Sequence, residues 1–558
     1  MRVPLIERLL TRWPSLPRGF SKPISSVAIL AWIIAMVFVV RKATEQTALA
    51  LTSDLAAYGE RARWSGIYYR GEKIGFSVSQ MTERPGGFKL QENGQMLLTL
   101  MGMPVASKLK TEVNVDREFL LEDFTFSLDP GTDPISITGR LETPTRLIVT
   151  VNSSTGGKTR TIDLKEPPVL GLNLPKRLVA LGLKEGATHR IQIFDPATLS
   201  NGFATVEIGR REVVRILDRP VPAFRLTMQY SGINSTSWIT EVGEIIKEES
   251  AMGMVVVRED RERATALAMS SEVKADMIEA AAIQPTTQQQ IVDPASLVKL
   301  RLKFSGAPLP GNTAEMNGGG QTTRGDVVEI VDTRDLRAGP APADTAEALK
   351  PEAFIESDAP EIIAETRKAL AQTDPNASAR KKAEVLVRYV NFALDKKPTM
   401  SLPSAVEVLR TKVGDCNEHT ALYVAMARAA GIPSRVAIGL VSLRGAFYYH
   451  AWPEVFVGDA RSATDNGAGA WIPVDPTLNQ FPADVTHVRM ARGGFDRQTA
   501  ILPLLGRAQI QILEMVDGPG QGNSRPLVGA NGTETPTLAI DIPAPESKDN
   551  CWRRPARR

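Results

Sequence analysis

Apolar and polar residues alternate along much of the chain between residues 64 and 257. Phe124, Phe126 and Leu128 alternate with Thr125 and Ser127, and Phe224, Leu226, Met228 and Tyr230 repeat the pattern. A period of two marks half-buried strands, because successive side chains point to opposite faces. Turn formers punctuate it at Pro85-Gly86-Gly87, Asp129-Pro130-Gly131 and Gly156-Gly157. Many short strands and few helical stretches predict an antiparallel β-rich domain over residues 55–290, as a sheet, sandwich or open barrel. His189 stands alone there, and no catalytic constellation surrounds it.

Residues 291–350 read as a mixed region. Strands are expected at 298–304 and 327–331, around a Gly318-Gly319-Gly320 turn and ahead of the linker Gly339-Pro340-Ala341-Pro342. The glycine run follows no strand-to-helix pattern and is expected as a turn rather than a phosphate cradle. Helical spacing begins after Asp358, a candidate N-cap with Pro360 in the first turn, and Leu386, Tyr389, Val390 and Ala393 give the stripe of a second helix.

A third helix is expected to begin at Cys416. Asp415 is its N-cap, and Glu418 three residues later completes a capping box. Ala421, Leu422, Ala425, Met426 and Ala429 supply one apolar face, and Gly431 and Pro433 stop the helix. Two strands follow. Residues 447–457 place His450, Trp452, Glu454 and Phe456 on one face, and 471–475 form the second strand after a loop at 458–470. The midpoint between His450 and Asp475 falls in that loop, so an antiparallel hairpin sets the two side by side. Past residue 517 the chain turns to Pro, Gly, Ser and Asn, which reads as a disordered tail over 517–558.

One segment stands apart. Residues 24–40 are apolar except for Ser25 and Ser26, a run of about 17 residues at the lower limit for crossing a bilayer. Arg2, Arg8, Arg12, Arg18 and Lys22 precede it, so a basic leader at 1–23 stays in the cytoplasm and the bulk of the chain crosses. Cleavage as a signal peptide is the rival reading. Arg41-Lys42 stands where a small-residue cleavage site belongs, and Ala48-Leu49-Ala50 comes late.

Composition narrows the chemistry. A chain of 558 residues exceeds one ordinary core. A net charge of +3 gives no electrostatic footprint for nucleic acid. Four dispersed histidines and two cysteines offer no metal-ligand spacing, so neither a metal nor a cofactor is expected. Cys551 lies in the tail and is not expected to pair with Cys416.

A thiol at a helix N-terminus meets the positive end of the dipole, which favours thiolate; Asp415 and Glu418 oppose that effect. His450 would take the thiol proton and Asp475 would orient the imidazole. Read singly, each residue is bland: a buried cysteine, a structural histidine, a paired aspartate. Together with their contexts they resemble a known family. Gly414-Asp415-Cys416, the helix end Arg428-Ala429-Ala430-Gly431-Ile432-Pro433-Ser434-Arg435, His450-Ala451-Trp452 and Trp471-Ile472-Pro473-Val474-Asp475-Pro476-Thr477 look like the core of the transglutaminase-like, papain-like thiol superfamily.

The resemblance implies an α+β catalytic domain over 351–516, with Cys416 as nucleophile, His450 as base and acid, and Asp475 as orienter. Together with the 24–40 run, the chain reads as a membrane-anchored protein of a bacterial envelope. Its reaction would be attack on an amide or peptide carbonyl and an acyl-thioester, resolved by water or by an amine, with water the more abundant acceptor. Its partner would be a protein or peptide of the envelope, and its place the extracytoplasmic side of the inner membrane. Asn417, Tyr448 and Trp452 are candidates for the oxyanion side chain. His419 is expected to cap or pack, and His487 to line the cleft or the surface. Pro453 lacks a ladder donor and implies an edge or bulge. The contrasting reading is a non-catalytic binding or assembly protein that uses the same cleft, or a β domain that carries lipid or glycan.

Overall fold

The computed structural model describes residues 58–518, apart from 101–102, 130–133, 154–155, 231, 251–252, 267–275, 288–289, 311–312, 335, 353, 399–403, 459–467, 502 and 505. The expected leader, the 24–40 anchor, Cys551 and nearly all of the tail lie outside the described residues. Among the described residues no helix is long and apolar enough to cross a membrane.

Fourteen strands, from Arg63–Tyr69 to Met254–Glu259, join in one antiparallel sheet. Strands consecutive in sequence pair with each other except the eighth and ninth, Gly156–Asp163 and Thr188–Asp195, and the first pairs with the last, Tyr68 opposite Val255. The two free edges, Gly156–Asp163 and Thr188–Asp195, are therefore neighbours in sequence, and the helix Leu174–Leu181 lies in the chain between them. The wings of the sheet face one another. Phe124 packs on Phe194 with ring centroids 5.6 Å apart, and both are buried. Gly139 lies under the Phe124 ring, where a Cβ would come within 2.1 Å of it. The expected alternation is present: Phe124 and Phe126 are buried and Thr125 and Ser127 are half-buried.

Residues 291–350 supply three strands of a four-stranded sheet, whose fourth is Gln509–Asp517 from the far end of the chain. The Gly339–Pro342 stretch is not a free linker, since Gly339 and Pro340 pair with Gly469 and Ala468. Its sheet has five strands in the order Gly339–Pro340, Ala468–Pro473, Ala446–Val457, Ser434–Leu443, Val488–Gly493.

Four helices pack in this part: Pro360–Ala369, Ala379–Ala393, Ala405–Thr411 and Cys416–Ala429. The first is capped at Ala359 rather than Asp358. The Cys416 helix is the fourth rather than the third, because the short Ala405–Thr411 helix intervenes. Its signal is brief: Ser404 caps it through the Glu407 amide, and seven residues are too few to show a periodicity. The Cys416 helix also departs from the expected one-sided stripe. Every residue from Glu418 to Arg428 is buried, so it is a central core helix enclosed on all sides. Its small residues Ala421, Ala425 and Ala427 let neighbours approach closely. One continuous apolar core runs from Phe124 and Ile137 in the large sheet through Leu300 and Leu302 to Leu386, Leu422 and Val436. That shared core gives the Cys416 helix a rigid seat.

Candidate active site

The Cys416 helix starts as its sequence dictates. The Asp415 carboxylate accepts from the amides of Asn417 and Glu418, and the Glu418 carboxylate accepts from the Asp415 N–H at 2.8 Å. Gly414 is needed for this close turn, since a Cβ there would stand 2.2 Å from that of Glu418. Cys416 is the first helical residue, half-buried as a whole, and its thiol is free.

The strand Ala446–Val457 runs across the mouth of that helix. Ala451 accepts a hydrogen bond from the Thr420 hydroxyl at 3.1 Å and forms a backbone hydrogen bond with the Cys416 thiol. His450, its neighbour in the strand, is buried and directs Nε2 at Asp475 Oδ2, 2.7 Å away. Asp475 itself lies beyond the end of its strand, which closes at Pro473 rather than at 475. The ladder ends at Glu454 opposite Pro473, and Val474 donates to the Pro453 carbonyl. Asp475 is fixed instead by a reciprocal pair of backbone bonds with Gln480 and by the Leu478 amide, which donates to Oδ1 at 2.8 Å.

Pro453 is neither at a sheet edge nor at a bulge. It occupies an interior strand, in unbroken register with Val436 on one side. On the other side the partner strand has just ended, so its missing N–H interrupts no ladder bond. The same early ending leaves the backbone of Ala451 open to the Cys416 helix.

The sequence left His487 undecided, and the structure brings it into the site. It is buried, with Nε2 3.0 Å from Asp475 Oδ2 and Nδ1 3.1 Å from the Asp484 carbonyl. A sequence signal existed: Asp484 lies three residues before His487, and its side chain accepts from the Thr486 amide in an Asx turn. Trp452 holds both imidazoles, lying nearly parallel to His450 at 6.0 Å and edge-on to His487 at 5.2 Å. Behind it, Glu454 is buried between Arg435, at 2.9 Å, and Arg489. The Gly318–Gly320 turn wraps this arginine, with Arg489 donating to the Gly318 carbonyl at 2.6 Å.

Charge is distributed unevenly here. Burial and the Asp415 carboxylate push the Cys416 thiol well up, the Ala451 hydrogen bond offsets part of this, and Glu418 and Asp475 add to it. Burial also opposes ionisation of Asp475, yet His450 and His487 outweigh it and hold its carboxyl well below the usual range. Burial works against a charge on His487 as well; hydrogen bonds to Asp475 and Asp484 overcome it and raise the imidazole to about 10. Glu454, despite burial, is lowered to about 2 by its two arginines.

The oxyanion candidates separate. Tyr448 bonds Glu279 and is committed there. Trp452 is buried against both histidines, and its Nε1–H has no hydrogen-bond partner among the described residues. Asn417 remains beside the thiol, its Oδ1 facing the Tyr449 hydroxyl at 3.2 Å and Gln498 at 3.3 Å. Sequence reasoning missed both of these partners. His419 takes the expected capping place, Nδ1 donating to the Asp415 carbonyl at 2.7 Å, and burial keeps it below the ordinary imidazole value.

Donor atoms of His450, Asp475 and His487 all lie within 4.8 Å of one another. Two of these contacts, 2.7 and 3.0 Å, have N–H···O lengths. Donors around a four-coordinate zinc with bonds of about 2.0 Å stand about 3.3 Å apart. The arrangement is that of a hydrogen-bond network: a carboxylate orients the His450 imidazole, and the next residue of that strand, Ala451, meets the Cys416 thiol.

Residues 365–476 match the family model described as the transglutaminase-like superfamily. This stretch, which contains Cys416, His450 and Asp475, is a transglutaminase-like core, and a large antiparallel β-rich region precedes it. Three solved structures are similar. A beta-barrel-like protein, a domain of unknown function from Brucella abortus, is 12% identical, with 36% of this chain and 95% of that one covered and a TM-score of 0.29. A candidate cysteine protease from Cytophaga hutchinsonii is 15% identical over 39% and 86% of the two chains, with a TM-score of 0.23. The periplasmic domain of TgpA from Pseudomonas aeruginosa bound to ethylmercury is 16% identical over 36% and 84%, with a TM-score of 0.20. With scores this low, the assignment rests on the family match. No curated protein matches the chain significantly.

Proposed function

With a transglutaminase-like core in residues 365–476 as the premise, we propose that the chain is a thiol enzyme acting on amide or peptide carbonyls. The observation that carries this reading is the 2.7 Å contact of His450 Nε2 with Asp475. A carboxylate can only accept there, so Nε2 carries a proton, and in the neutral ring Nδ1 holds the lone pair. That is the tautomer a base needs.

In this mechanism His450 Nδ1 takes the Cys416 proton as Sγ attacks the carbonyl carbon. The C=O π electrons move to oxygen, and the Cys416 N–H, at the helix N-terminus, faces that oxyanion. The C–N bond then breaks, and the proton on Nδ1 passes to the departing amine. A thioester remains on Cys416. Water, deprotonated by His450, adds to the thioester; the C–S bond breaks, Sγ takes the proton back from His450 and the acid leaves, whereas an amine acting in place of water would give transfer. Hydrolysis is the favoured outcome, because water is the abundant acceptor. The raised thiol means that proton transfer accompanies attack rather than preceding it.

The apolar run at 24–40, with basic residues before it, supports a single-pass anchor in the inner membrane with the bulk of the chain outside the cytoplasm. The substrate would then be a protein or peptide of the envelope. The test is turnover: the full-length chain with a panel of glutamine-bearing and amide-bearing peptides, assayed for released ammonia or amine. Release by the parent chain and none by Cys416→Ala supports the reading. Equal release by both refutes it.

A further inference from the structure

The second histidine on Asp475 has no part in the proton transfers above, and its hydrogen bonds define its protonation. Nδ1 of His487 lies 3.1 Å from the Asp484 carbonyl and 3.3 Å from Asp484 Oδ1, and Nε2 lies 3.0 Å from Asp475 Oδ2. All three oxygens are acceptors, provided both carboxyls are ionised. Asp475 receives three donors, from His450, His487 and the Leu478 amide. Asp484 receives the Thr486 amide and hydroxyl and the Gln480 side chain. Those donors hold both carboxyls ionised despite their burial. A neutral imidazole would therefore point one lone pair at an acceptor, whichever tautomer it took.

We propose that His487 is a positioning residue, a permanent buried imidazolium that holds Asp475 from behind and offsets part of its charge. The inference rests on the thiol-enzyme reading only for its consequence, not for the charge itself. Groups facing His487 are Asp475, Asp484 and His450; Glu454 and Arg489 line the same small internal cavity, and Arg435 completes the charge balance of Glu454. The network thus reads Cys416, His450, Asp475, His487, Asp484, with the carboxylate shared between two imidazoles. His450 exchanges protons with the thiol, whereas His487 keeps both of its own. The positive charge beside Asp475 also tempers the negative field that disfavours a thiolate at Cys416.

The full chain carries four histidines, so nitrogen-15 histidine labelling gives a spectrum simple enough to assign with one variant, His487→Gln. The expected result is that both ring nitrogens of His487 stay protonated at pH 8. A second reading needs no spectrum: the pH midpoint of Cys416 alkylation should rise by about one unit in folded His487→Gln, because a neutral amide replaces a cation. Asp484→Asn, which keeps the size of the site, should shift that midpoint the same way by less.

One unprotonated ring nitrogen at pH 7 would overturn the proposal. So would an unchanged midpoint in folded His487→Gln, or stoichiometric zinc in the purified chain whose removal by chelator moves the His487 resonances. If His487 is doubly protonated while no peptide is turned over, this inference stands and the proposed function falls.

Discussion

His450 and Asp475 are 25 residues apart in sequence and 2.7 Å apart in space. They do not face each other across the hairpin, whose paired rows end at Glu454 opposite Pro473. Asp475 reaches back from the turn after its strand, held by Gln480 and Leu478. Its orientation thus depends on the turn. Asp475→Asn keeps the shape but can present an amide N–H where a carboxylate oxygen accepts. The His450 tautomer then inverts, and turnover should fall by about 10^3 to 10^4-fold with KM little changed. Steady-state kinetics on peptide substrate check this.

Cys416 should be a slow nucleophile toward iodoacetamide below neutral pH. The folded thiol is pushed up, so the thiolate fraction rises only as pH increases toward the alkaline range. Glu418→Gln keeps an acceptor for the Asp415 amide and removes one of the opposing charges. It should lower the pH midpoint of alkylation by about half a unit, read by mass spectrometry of the Cys416 peptide.

Glu454 anchors the site from behind. Glu454→Gln would leave Arg435 and Arg489 as buried cations lacking full compensation, at a cost of about 3–5 kcal/mol in denaturant unfolding. The sign of the pH effect follows from the depressed value. Its folded carboxyl sits at about 2, against about 4.3 when unfolded. Its contribution is therefore complete above pH of about 4.3 and lost as pH falls toward 2. The variant should show a flatter loss of stability across that window.

Gly439 lies opposite His450 on the neighbouring strand. A Cβ there would come 2.0 Å from the Val488 carbonyl oxygen and 3.0 Å from the Trp452 ring. Backbone cannot give way cheaply, so Gly439→Ala should destabilise the fold by about 1–3 kcal/mol. Displacement of Trp452, which both histidines contact, should also reduce turnover of the protein that remains folded.

Much of this arrangement was legible because local signals agreed. Asp415, Cys416 and Glu418 carry a complete capping box in four residues, so the helix start was readable. The alternation at Phe124 and Phe126 likewise announced a half-buried strand. What escaped depends on contacts between distant segments. The pairing of Gln509–Asp517 with Leu297–Ser305 leaves no local trace, and neither does the single apolar core beneath both sheets. Pro453 misled for a related reason: its fit depends on where the partner strand stops, which residue 453 does not encode. His487 was ambiguous because a lone histidine acquires meaning only from the two carboxylates that meet it.

The mechanism passes through a covalent acyl group on Cys416. Its most direct test is rapid acid quenching of the full-length chain with peptide substrate, followed by mass spectrometry of the fragment that contains Cys416. An added acyl mass is expected on that fragment, removed by neutral hydroxylamine and absent in His450→Ala. Turnover of the same peptide with no adduct on Cys416 at any quench time, or with Cys416→Ala equally active, would contradict it.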